Sequence, residues 1–134
     1  MPLFMVENTD GSVRVLQADD AATEIIKWPP AEQLAVSSVT TITKKDLPSD
    51  RVFRGAWVKS GSAVVVDIGK AREIQRQHIE AAREATMRRL LLREALGDNV
   101  AARKAQVAAV DAAAIVAVAR DETELRASKP AVLD

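Results

Sequence analysis

Apolar and polar residues alternate through much of the first half of the chain. Through the second half the apolar residues recur every three to four positions, and the change falls at Asp67. Residues 3–6 are a short apolar run, and Val13 and Val15 share one side of residues 12–16. Asn8-Thr9-Asp10-Gly11 between them has turn chemistry, so the spacing predicts a β-hairpin. Asp19-Asp20 followed by Ala-Ala-Thr-Glu-Ile-Ile-Lys-Trp suits an acid-capped helical turn. Trp28-Pro29-Pro30 closes it, because proline denies the preceding residue an easy helical conformation. Residues 35–43, rich in Val, Ile and Thr, read as a strand that Lys44-Lys45-Asp46 ends.

Residues 48–57 fit two patterns. Phe53, Ala56 and Trp57 would share one face of a short helix, whereas Phe53, Gly55 and Trp57 would share one face of a strand. Pro48 with Ser49 and Asp50 has the chemistry of a helix start, which favours a helical turn leading into an extended Trp57-Val58. Lys59-Ser60-Gly61-Ser62 is a turn, and residues 63–66 form a strand that returns along Trp57-Val58.

Asp67 occupies an N-cap position, and a long helix is expected after it. Projected at 100° per residue, Ile74, Ala81, Ala85, Leu92 and Leu96 make one stripe, with Ala71 and His78 on its edge. Ile79, Met87 and Leu90 lie on nearly the opposite side among Arg72, Arg76 and Arg83, giving the helix two partly apolar faces. Gly97 supplies a stop and Asp98 or Asn99 a new cap, so a helical hairpin follows. The second helix puts Val100, Val107, Val110, Ala114 and Val118 on one stripe, with a break expected near Asp111. Asp121 caps a last short helix over 122–127 that Pro130 ends. The fold class is therefore α+β, with a β-rich part over 1–66 and a helical part over 67–134.

Composition narrows what such a fold can do. Apolar residues are 48% of the chain but aromatics only 3%, and Ala and Val dominate, so each apolar position buries little area and the core is thin. Lys plus Arg and Asp plus Glu both total 19, so net charge offers no attraction for nucleic acid or an anionic membrane. No apolar run approaches the roughly 20 residues that span a bilayer, and no signal pattern opens the chain, so a protein that is cytosolic when made is expected. The lack of cysteine excludes disulfides, thiolate nucleophiles and cysteine-based zinc sites.

Candidate chemistry is sparse. His78-Ile79-Glu80 has the His-x-Glu half of a zinc deaminase motif, without cysteines to complete it, and His78 reads better as a packing or solvent-facing residue. The pairs Asp19 with Asp20 and Asp46 with Asp50 are explained by capping. Arg72, Arg76, Arg83, Arg88, Arg89 and Arg93 are interleaved with Glu73, Glu80, Glu84 and Glu94, and Glu84 with Arg88 has favourable i,i+4 spacing. A solvated or partner-facing helix surface is the better reading of that face. Trp28 and Trp57 read as core or interface anchors. No catalytic residue, cofactor site or metal site is expected.

The order of elements carries a resemblance. Asp46-Leu47-Pro48-Ser49-Asp50-Arg51-Val52-Phe53-Arg54-Gly55-Ala56-Trp57, then a strand, then Asp67-Ile68-Gly69-Lys70-Ala71-Arg72-Glu73-Ile74, resembles small tail assembly chaperone proteins of tailed bacteriophages. In that family an Asp-Leu-Pro-x-Asp-Arg-x-Phe-Arg-x-Ala-Trp block precedes an Asp-x-x-Lys-Ala-x-x-Ile helix start. Asp121-Glu122-Thr123-Glu124-Leu125 with Pro130 looks like the family's closing segment, so the likeness spans residues 46–130. It departs after Gln106, where Val-Ala-Ala-Val-Asp replaces a Leu-Arg-Asp type of segment. Related segments also close tail-fibre proteins. The resemblance implies a non-catalytic part in tail morphogenesis, with other tail or tail-fibre proteins as partners, a homo-oligomer as a further state, and neither nucleic acid nor membrane bound. The expectation is a structural component or adaptor located in the virion tail; the alternative is a chaperone acting transiently in the host cytoplasm. Phe53 and Trp57 are then the expected structural anchors at the junction of strands and long helix, and Ile79, Met87 and Leu90 the expected partner interface.

Overall fold

The protein is described from a computed structural model covering residues 1–48 and 51–134. It is an α+β protein in two compact units, Met1–Asp67 and Ile68–Asp134.

In the N-terminal unit the hairpin forms as its pattern implies: β1 (Leu3–Asn8) pairs antiparallel with β2 (Val13–Gln17). Gly11 turns the chain with φ 84°, a conformation glycine adopts without steric cost. β3 (Val36–Ile42) pairs with the other side of β1, giving the order β2-β1-β3. Period two then sorts the side chains, and Leu3, Met5, Val13, Val15 and Ile42 point to one face. A second hairpin, β4 (Trp57–Ser60) with β5 (Ala63–Val66), sets Trp57, Val64 and Val66 on one side. These two apolar faces meet, and Met5, Ile42, Trp57 and Val64 form the core with Leu47 packed against it.

Between β2 and β3, Asp20 caps α1 (Ala21–Ile25) by accepting from the Ala22 N–H and the Thr23 hydroxyl. A second helical turn, α2 (Pro30–Leu34), starts where Trp28-Pro29-Pro30 was expected only to stop one; Pro30 takes the first helical position, where its missing N–H costs nothing. The Gln33 side chain donates to the carbonyls of Ile26 and Trp28, and the Arg14 guanidinium lies 4.3 Å over the Trp28 ring. A 3₁₀ turn over Arg54–Ala56 leads into β4, so the helical reading of this stretch describes it; its expected start at Ser49-Asp50 lies outside the described residues. Phe53 and Trp57 are both buried here.

The C-terminal unit is built on α3 (Ile68–Ala95). Gly97, with φ 98°, ends it in a left-handed cap, and the Asp98 N–H returns to the Arg93 carbonyl. The return is broken into α4 (Ala101–Ala108), α5 (Ala112–Ala117) and α6 (Glu122–Arg126), with the expected break near Asp111 and the expected last helix after Asp121. The break falls at Asp111, whose carboxylate caps α5 through the Ala114 N–H, and Asp121 caps α6 through the Glu124 N–H. The break resets the phase of the apolar stripe. Val107, Ala112, Val116 and Leu125 are buried, while Ala114 and Val118, expected inside with Val107, face solvent. A final 3₁₀ turn, Ala131–Leu133, buries Leu133.

Candidate interaction surface

α3 has two unlike sides. Ala71, Gln75, Ile79, Thr86 and Leu90 are buried, in phase with a helix of 3.6 residues per turn, and α4, α5, α6 and the final 3₁₀ turn all contact α3. Ile79 is 0% exposed, so the expectation that Ile79 and Leu90 meet a partner is corrected: the chain's own helices cover them. Met87 is half-buried. The physical reason lies in the arginines between them. Arg83 donates to the Val107 and Ala108 carbonyls at the C-terminus of α4, and Arg72 to the Ala119 carbonyl after α5. Helix C-termini leave carbonyls unpaired and carry partial negative charge, so a guanidinium beside an apolar stripe can belong inside the fold. The solvated reading fails for these two arginines. Arg83→Ala is expected to cost about 1.5–3 kcal/mol, the worth of hydrogen bonds made by a charged group, read as a lower urea midpoint.

Gln75 and Thr86 were missed as inward-facing residues because they are polar. Each is satisfied locally, Gln75 by the Ser128 hydroxyl at 3.4 Å and Thr86 by donating to the Leu133 carbonyl at 3.2 Å. Their helical phase with Ile79 and Leu90 was the available signal.

The other side carries charge near the start of the helix and leucine near its end. Arg76 bridges Glu73 and Glu80, and Gln77 also donates to Glu73. The Arg76 guanidinium, followed by the Gln77 amide, pulls the Glu73 carboxyl down to about 2, and the bonds to Glu73 and Glu80 raise Arg76. The folded value lies below the ordinary 4.5, so the bridge stabilises the fold above that pH and is lost as pH falls from about 4.5 toward about 2. Glu73→Gln is expected to flatten the acid side of the stability curve in that window; superimposable acid curves for the two proteins would contradict it.

Towards the C-terminus, Leu92 is 63% and Leu96 76% exposed, and Leu91 is exposed beside them. A groove of about 470 Å³ runs along this end, lined by Ala82, Ala85, Arg88, Arg89, Leu92 and Leu133. Of the stripe Ile74, Ala81, Ala85, Leu92 and Leu96, Ile74 and Ala85 are half-buried and the other three are open. Glu84 and Arg88 are exposed along the same side and form no ion pair with each other among the described residues. His78 is exposed on α3, and no group of three His, Cys, Asp or Glu among the described residues is placed to hold a metal ion. No helix among them is long and apolar enough to cross a membrane. In comparisons with known proteins, no family model, curated protein or solved structure matches the chain.

Proposed function

We propose that this chain is a non-catalytic bacteriophage tail protein, a structural component or adaptor of the virion, that binds another tail or tail-fibre protein through the open end of α3. The observation that carries the binding surface is the cluster Leu91, Leu92 and Leu96 on a helix whose opposite side is already packed. Leucines left in water on an ordered helix retain apolar area for association, about 25 cal/mol for each Å² covered. The partner class comes from the resemblance of residues 46–130 to phage tail proteins. A second reading, a tail assembly chaperone that leaves before the particle is complete, draws on the Asp-Leu-Pro block of the same resemblance and uses the same surface.

Leu92→Lys changes a residue the fold does not need. The variant is expected to fold and to lose co-purification with an identified tail or tail-fibre protein by tenfold or more. Retention of that protein by the variant at wild-type level would remove the surface from the account.

A further inference from the structure

The free edge of the N-terminal sheet is complementary to itself. Backbone bonding fixes which groups are open. Asn8 donates to Ser12 at 2.9 Å and Ala18 to Pro2 at 3.2 Å, so the even-numbered residues of the β1 segment bond toward β2. Bonded and non-bonded pairs alternate in an antiparallel ladder, so Leu3, Met5 and Glu7 bond toward β3 at Ile42, Thr40 and Ser38. The Thr9 N–H bond to the Ala35 carbonyl, at 2.8 Å, lies on that same side. The N–H and C=O groups of Val39 and Thr41 therefore point away from β1, and Ser37, which the register shift leaves without a β1 partner, continues that edge. Among the described residues no strand pairs there, and Ser37, Val39 and Thr41 are exposed, Val39 by 42%.

Protected edges usually carry a charge, a proline or a bulge within the strand. β2 carries Arg14 and β4 carries Lys59, whereas β3, Val-Ser-Ser-Val-Thr-Thr-Ile, carries neither charge nor proline. Its register shifts once, at Ser37 between the pairs Glu7–Ser38 and Asn8–Val36, and residues 38–42 run regularly. Its sequence also reads nearly the same in both directions about Val39: Ser37-Ser38-Val39-Thr40-Thr41.

From these observations we infer that β3 pairs antiparallel with β3 of a second copy, about a two-fold axis at Val39, joining two three-stranded sheets into one. Val39 meets its own copy, and Ser37 meets Thr41 of the second copy, each such pair exchanging both of its backbone bonds. Every outward-pointing group of residues 37, 39 and 41 is then used. Thr40 of the second copy comes to lie directly across from Ser38, whose hydroxyl oxygen is shut off from solvent and has no hydrogen-bond partner among the described residues. A χ1 rotation toward the edge would let the two hydroxyls meet, a cross-strand pairing that antiparallel sheets favour. On the opposite face of the sheet, α1 and Val39 bound a groove of about 500 Å³ with Ala21, Ala22, Ile25, Ile26, Asp20 and Gln33, which the second Val39 would enter from its rim.

Light scattering coupled to size exclusion, run on the full chain over a concentration series, tests the pairing. The expected result is a mass of two chains at high concentration. Val39→Lys sets like charges opposite each other, and Thr41→Pro deletes an outward N–H without touching the β1 ladder. Each is expected to give a monomer with an unchanged far-UV spectrum, while Leu92→Lys is expected to remain dimeric. Should Thr41→Pro misfold, Val39→Lys decides alone, since it alters an exposed side chain only. A wild-type monomer up to the solubility limit, or a dimer that survives Val39→Lys, would overturn the inference.

Discussion

Trp57→Ala is expected to remove about 3–5 kcal/mol from the stability of the N-terminal unit, the range for deleting a large aromatic side chain from a core. The indole is 4% exposed and shares a cluster with Met5, Ile42 and Val64, where the three-stranded sheet meets the β4–β5 hairpin. Neither layer has a second residue of that size in the cluster, and a two-stranded hairpin alone is marginal in water. The indole Nε1 has no hydrogen-bond partner among the described residues, so volume, and not a polar tether, is what the residue contributes. Trp57→Phe, which keeps much of the volume and removes the unpaired N–H, should cost clearly less than the alanine change. Urea denaturation followed by far-UV circular dichroism, with amide exchange of β1 and β4, reads the effect. An alanine variant with an unshifted midpoint and unchanged exchange would refute the anchor.

The second large effect separates the two sides of α3. Ile79→Ala is expected to cost about 2–5 kcal/mol, because a fully buried branched side chain leaves a cavity that α3 and its covering helices close only in part. Leu92→Ala, two-thirds exposed, should move stability by no more than about 0.5 kcal/mol. The pair is diagnostic because Ile79, with Met87 and Leu90, was expected from the sequence to face a partner. Equal and small costs for both would return Ile79 to the surface and reverse the orientation of the helix.

Where local chemistry decides an element, the sequence could be read directly. Asn8-Thr9-Asp10-Gly11 makes the first hairpin, Gly97 ends α3, and Asp111 and Asp121 restart helices where capping requires an acid. These devices work within a few residues and leave a local trace. The α2 turn was hidden because Pro30 can close one helix or open another, and only its downstream neighbours decide which. The side of α3 that faces inward was not legible for a different reason. Both stripes hold apolar residues, and carbonyls at the ends of α4 and α5, far away in sequence, accept from Arg83 and Arg72 on the side that is buried. Gln75 and Thr86 add to the ambiguity, since polar residues inside a stripe look like its edge until Ser128 and Leu133 supply their partners. Ile79 and Leu90, expected at the interface, are thus core, and Leu92 and Leu96 of the other stripe are the open surface.

The proposed role rests on association through the leucine end of α3 within a phage tail. Quantitative mass spectrometry of purified phage particles, produced by cells that encode this chain, addresses it most directly. The expected result is the chain at a fixed copy number relative to the tail proteins, with particles carrying the Leu92→Lys variant depleted of it. Absence from the particles, together with absence from every complex with free tail or tail-fibre protein, would contradict both the virion reading and its chaperone alternative.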